Sequence, residues 1–152
     1  MTFTRILGTF ALGAALAFPA LADENPAVAA RQGQFQLFVH NFGALGGMVQ
    51  GRMEYDAALA QTAADNLFHV TRHDQSRLWP DGTDSMSIDG TRAKPEIWDN
   101  LDDFVTKFVA LQQAAENLQA VAGDGLDAMR AAFGPTAGAC QACHQVYREE
   151  AG

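Results

Sequence analysis

The chain has 152 residues, 48% of them hydrophobic and 18% charged, with a formal net charge of −8 and two cysteines. That length suits one domain around a single core. The excess of acid argues against nucleic acid as a partner and otherwise means a well-solvated surface.

The first element is a leader. Arg5 precedes an apolar run over residues 6–18, and Ala20-Leu21-Ala22 follows Pro19 as a small-x-small cleavage pattern. Residues 1–22 are expected to be a signal peptide and 23–152 a single domain, with the mature chain beginning at Asp23. Losing Arg5 leaves nine Lys/Arg against eighteen Asp/Glu, a formal charge of −9. The run is shorter than the ~20 apolar residues that cross a bilayer, so no membrane anchor is expected and the periplasm is the expected location.

A first helix is predicted over residues 26–50, with Pro26 in its first turn and Phe35, Phe38, Val39, Phe42, Leu45 and Val49 toward the core. Leu37 falls off that stripe. Gly43, Gly46, Gly47 and Gly51 weaken its second half, at about 1 kcal/mol each relative to Ala, and would permit a close helix crossing.

Asp56 is a good N-cap for a second helix reaching residue 72, with Leu59, Ala60, Ala63, Ala64, Leu67 and Phe68 buried. Residues 74–93 are polar and turn-rich, with Pro80, Asp81-Gly82 and Asp89-Gly90. A connection of that length inside a compact bundle suggests a cover over a ligand.

The third helix, over 95–123, starts at Pro95 and repeats Ile97, Trp98, Leu101, Phe104, Val105, Phe108, Leu111, Ala115 and Leu118 at helical spacing. The fourth, over 124–147, carries Leu126, Met129, Phe133, Cys140, His144 and Tyr147. Gly134-Pro135 is expected to kink or restart it, because Pro135 cannot donate to residue 131. With no convincing strand, the expected fold is an all-α, antiparallel, up-down-up-down four-helix bundle.

The chemistry sits in Cys140-Gln141-Ala142-Cys143-His144. Residues three and four apart share a helix face, so both thiols and the imidazole can address one planar ligand. Two thioethers to haem vinyl groups and an axial imidazole are what this spacing serves. Three alternatives use the same cysteines: a thioredoxin-like redox pair, a bare disulfide, and a zinc site completed by His69 and His73. The redox pair lacks its βαβ setting, and a ring closed across two residues stabilises little. Export and the adjacent His144 favour haem over zinc.

With Arg31-Gln32, Gly51, Tyr55-Asp56, Gly82-Thr83 and Pro95-Glu96-Ile97-Trp98, and with Tyr147-Arg148 closing the motif, the mature chain resembles the cytochrome c′ family. The resemblance implies one covalent haem c near the C-terminal end of the fourth helix, held by Cys140 and Cys143, with His144 as the iron ligand. It places Arg148 near the proximal imidazole and Arg31 and Gln32 at the propionates, while Thr83, Asp84 and Glu96 would lie near the haem edge. The last three also suit turn or capping roles.

By the same resemblance Phe35, four residues after Arg31, covers the distal iron face and cannot ligate it. The implied function is a five-coordinate, high-spin haem protein that binds nitric oxide or carbon monoxide and can cycle its redox state, rather than an enzyme. The alternative is a low-spin, six-coordinate electron carrier using Met48 or Met53, both more than three turns beyond Phe35. His40 points away from the Phe35 face, so no distal acid or base is identified. A homodimer through the first two helices is also implied, with Leu37 and the glycine-rich stretch at the contact. No residue pattern identifies a redox partner.

Overall fold

A computed structural model describes residues 25–150; the expected leader lies outside the described residues. Five helices follow in order: α1 Pro26–Val49, α2 Ala57–Thr71, α3 Glu96–Asp99, α4 Leu101–Val121 and α5 Leu126–Tyr147. α1 packs on α2, α2 on α4, α4 on α5 and α5 on α1, which closes a four-helix bundle with α3 as a short preface to α4. Among the described residues there is no strand, only one isolated bridge, Ala93 to Arg148. No described helix is long and apolar enough to cross a membrane.

Local chemistry sets both ends of α1 and the start of α2. The Asn25 side chain accepts from the N–H groups of Ala27 and Val28, and that of Asp56 from Leu59 N–H at 2.9 Å. At the end of α1, Gly51 takes φ +70°. Its N–H reaches Met48 O while Arg52 N–H reaches Gly47 O. That pair of bonds is a Schellman cap, which needs a left-handed residue at the glycine position.

One end of the bundle is filled by Leu45, Met48, Ala60, Ala64, Leu118 and Met129. Small residues bring the helices close there. A Cβ on Gly46 would stand 3.3 Å from the Phe133 ring, and one on Gly47 2.8 Å from Met53 Sδ. Both glycines thus serve packing within the chain.

The structure corrects four buried positions and two helix paths. Val39 is 67% exposed, and Leu59, Leu101 and Val105 are exposed too. In α1 the inward face also holds Arg31, Gln34 and Asn41, three polar residues that apolar spacing alone ignores. Val39 stands one residue, about 100°, round from Phe38. The third helix is not continuous: Asn100, at φ −135° and ψ 49°, separates α3 from α4. Ile97 before the break and Phe104 after it are both buried.

Pro135, by contrast, does not break α5, which runs helical from Leu126 to Tyr147. Pro135 and Ala131 are both exposed, so water can satisfy the carbonyl that loses its partner.

Candidate haem-binding site

The last two turns of α5 present Cys140, Cys143 and His144. Cys140 and His144 open onto a cleft of about 380 Å³ shared with Phe42, Ala137, Arg148 and Glu149. Cys143 packs instead against the cluster of Ile97, Phe104 and Tyr147, with Trp79 and Trp98 beside it. Both thiols are free.

Burial governs their protonation. It pushes the Cys140 thiol up and the Cys143 thiol up to about 11, with Lys107 opposing. A thioredoxin-like pair needs a lowered thiol, so that alternative fails on electrostatics as well as on fold. Burial also lowers the His144 pKa, helped by the positive charges of Arg148 and Arg92. The imidazole is therefore held neutral, the form that keeps a lone pair for a metal.

The long connection is clasped at two places. Arg31, 2% exposed, donates to Leu78 O, to Thr83 Oγ1 at 2.9 Å, to Thr83 O, and to Thr91 Oγ1 at 2.7 Å. Its guanidinium carbon also lies 4.8 Å from the centre of the Trp79 ring. Gln32 donates to Gly90 O at 2.9 Å. Further along, Glu149 N–H donates to Arg92 O and Lys94 N–H to Tyr147 O, which stitches the connection to the end of α5.

The terminal nitrogens of Arg31 and the Gln32 amide thus hold the covering loop onto α1, a role the resemblance did not supply. Thr83 is buried within this clasp, and its hydroxyl donates to Pro80 O. Asp84 caps a turn, accepting from Met86 N–H, Ser87 N–H and the Ser87 hydroxyl. Those bonds, the Ser87 hydroxyl foremost, hold its carboxyl below the ordinary range. Glu96, exposed in the first turn of α3, pairs with Lys94 at 3.7 Å.

Phe35 sits edge-on to Phe38 and Trp79, with ring centres 5.7 and 6.5 Å away. Trp79 in turn meets Phe104 at 4.7 Å, and Phe104 meets Tyr147 at 5.4 Å. One aromatic layer therefore links Phe35 to the neighbourhood of Cys143. The structure does not bring Phe35 into the cleft with His144; Phe42, two turns further along α1, lines it and stacks on Phe133 at 4.2 Å.

His69 and His73 line a different cleft from Cys140, so the four-ligand zinc set is not assembled. Met48 is core, Met53 packs on Gly47, and His40 is exposed. Sequence reasoning passed over Trp79, the residue joining Arg31, Phe35 and Phe104. Its signal was a single large aromatic inside an otherwise polar connection.

These residues fit a c-type haem: two uncharged thiols one turn apart, a neutral imidazole, aromatic walls, and arginines at the rim. The family profile described as Cytochrome C′ matches residues 26–148. The cytochrome c′ of Cereibacter sphaeroides is 38% identical over 144 residues, covering 95% of this chain and 97% of that protein. A solved cytochrome c′ from Rhodobacter spheriodes superposes with TM-score 0.80 at 38% identity, covering 82% of this chain and 96% of that one. A nitric oxide complex of a variant cytochrome c prime from Alcaligenes xylosoxidans superposes with TM-score 0.71 at 33% identity, over 82% and 94% of the two chains. The chain belongs to the cytochrome c′ family, whose cofactor is a covalently bound haem c.

Proposed function

We propose that this is a periplasmic haem protein that binds nitric oxide or carbon monoxide at a five-coordinate, high-spin iron, and that it is not an enzyme. Cys140 and Cys143 would form the two thioethers and His144 would ligate the iron from the proximal side. Haem supplies an iron able to take up a diatomic gas and to change oxidation state. Residues 1–22 would be removed on export, leaving 23–152 as the working domain.

One observation carries the five-coordinate reading. Among the described residues, neither the cleft beside Cys140 nor the cluster around Cys143 contains a methionine or any histidine other than His144. Met48 is committed to the apolar core, which counts against the six-coordinate carrier. A nitric oxide complex of a relative with this fold supports the choice of gas.

Phe35, anchored by Phe38 and Trp79, would stand over the distal side and slow entry by steric bulk. Arg31 and Gln32, by pinning residues 78–91, keep water from the haem edge. Arg148, beside His144 in the cleft, biases the imidazole toward its neutral form. Exposed Leu37, Val39 and Leu59 on α1 and α2 support a homodimer through those helices, which sedimentation at micromolar concentration tests.

A pyridine haemochrome assay with ferrous spectra before and after nitric oxide tests the proposal. One haem c per chain, a high-spin ferrous spectrum and a nitric oxide adduct are expected. A low-spin spectrum with a sulfur-to-iron band would instead make the protein an electron carrier.

A further inference from the structure

The described residues contain three buried side-chain polar atoms with no hydrogen-bond partner: Nε2 and Oε1 of Gln34, and Oε1 of Gln75. Both glutamines neighbour the same histidine, Gln34 across a cleft and Gln75 by direct contact. Gln34, 5% exposed, lines a cleft of about 630 Å³ between α1, α2 and the start of the long connection, together with His69 and His73. Gln75 touches His73, its amide nitrogen 3.1 Å from the ring Nε2. A buried amide left unpaired loses its bonds to water and gains none in return, so such a cluster calls for an occupant.

The histidines have the chemistry of metal ligands. They are four residues apart, His69 in the last turn of α2 and His73 just past its C-cap, and both open onto the same cleft. His73 Nδ1 lies 2.8 Å from Val70 O, a carbonyl that can only accept. The proton is thereby placed on Nδ1, so Nε2 carries the lone pair, which accepts from the Gln75 amide N–H and which an ion would take over. A backbone carbonyl holding the second ring nitrogen is the usual support of a metal-bound imidazole. The amide oxygens of Gln34 and Gln75 are neutral donors that accept no hydrogen bond; Gln34 would give up none by turning toward an ion, and Gln75 would exchange its amide bonds to His73 for the ion.

We propose that His69 and His73, with the amide oxygens of Gln34 and Gln75, form a second metal site that takes a borderline divalent transition ion such as Zn²⁺ or Cu²⁺. Two imidazole nitrogens with amide oxygens and water suit these ions, whereas Ca²⁺ and Mg²⁺ prefer an all-oxygen shell. The site lies apart from the haem-binding cysteines and needs neither of them.

The test is calorimetric titration of Zn²⁺ into the ferric holoprotein, whose haem occupies His144 and whose cysteines are thioethers. One Zn²⁺ per chain is expected. His69→Ala and His73→Ala should each weaken binding by about tenfold or more, and His40→Ala should leave it unchanged. Both cleft histidines are exposed, so the variants retain the fold. Cu²⁺ bound to the same protein should show nitrogen hyperfine structure from two imidazoles, reduced to one in either variant. Absence of a stoichiometric Zn²⁺ site would overturn the assignment, as would unchanged affinity in the His69→Ala, His73→Ala double variant.

Discussion

The two ends of the bundle are built from different materials. At one end Leu45, Met48, Leu118 and Met129 interlock with the alanines of α2, and nearly every contact is apolar. At the other, the inward residues are Arg31, Gln34, Thr83 and Thr91, with Trp79, Phe104 and Tyr147 around Cys143. An apolar end can be stable by itself through burial. A buried guanidinium held by a loop and joined through Trp79 to the cluster around Cys143, at the end that carries two thiols and an uncharged imidazole, makes physical sense as the housing of a charged, planar cofactor.

The sharpest way to break this contrast is to replace Cys140 and Cys143 together with serine. Haem should then extract fully into acidified organic solvent, while helical circular dichroism from the apolar end persists. Leu118→Ala does the converse. The side chain is completely buried, so stability to denaturant should fall by about 2–5 kcal/mol with the haem spectrum unchanged. Arg31→Met should lower stability by about 3 kcal/mol, because the Thr83 and Thr91 hydroxyls and two carbonyls lose their donor. Amide exchange should show that loss in residues 78–91 and not in α2.

Smaller effects refine the picture of the haem end. Phe35→Ala should raise the carbon monoxide association rate of the ferrous protein by about tenfold, equivalent to 1.4 kcal/mol; an unchanged rate would remove Phe35 from the entry path.

Tyr147 offers a pH signature. Its hydroxyl donates to Asp103 at 2.7 Å, and burial, with that carboxylate, pushes its pKa up to about 12. The unfolded phenol titrates near ~10, so the folded state keeps a proton that the unfolded chain releases. Its contribution is complete below pH ~10 and is lost as pH rises toward about 12. Tyr147→Phe should cost about 1 kcal/mol at neutral pH and flatten that alkaline decline in unfolding titrations.

Local features were legible in the sequence. The haem motif spans five residues, and Asp56 caps the helix that begins beside it. Distant contacts were not. Arg31 finds its partners 52 and 60 residues away, so no window around it could show that it clasps a loop. Asn100 breaks a helix whose apolar spacing runs on unbroken: Ile97 and Phe104 keep a spacing that a continuous helix would also bury on one face, so the pattern carries no sign of the break. Gly134-Pro135 predicts an interruption, since exposure of the freed carbonyl becomes visible only once the face of α5 is known.

The central claim is that the iron has one protein ligand, His144, and an open opposite face. Resonance Raman spectroscopy of the ferrous holoprotein at neutral pH tests it directly. A five-coordinate, high-spin, histidine-bound iron is expected, unaltered by Met48→Leu or Met53→Leu. A six-coordinate, low-spin ferrous iron that reverts to five-coordinate in either methionine variant would contradict it.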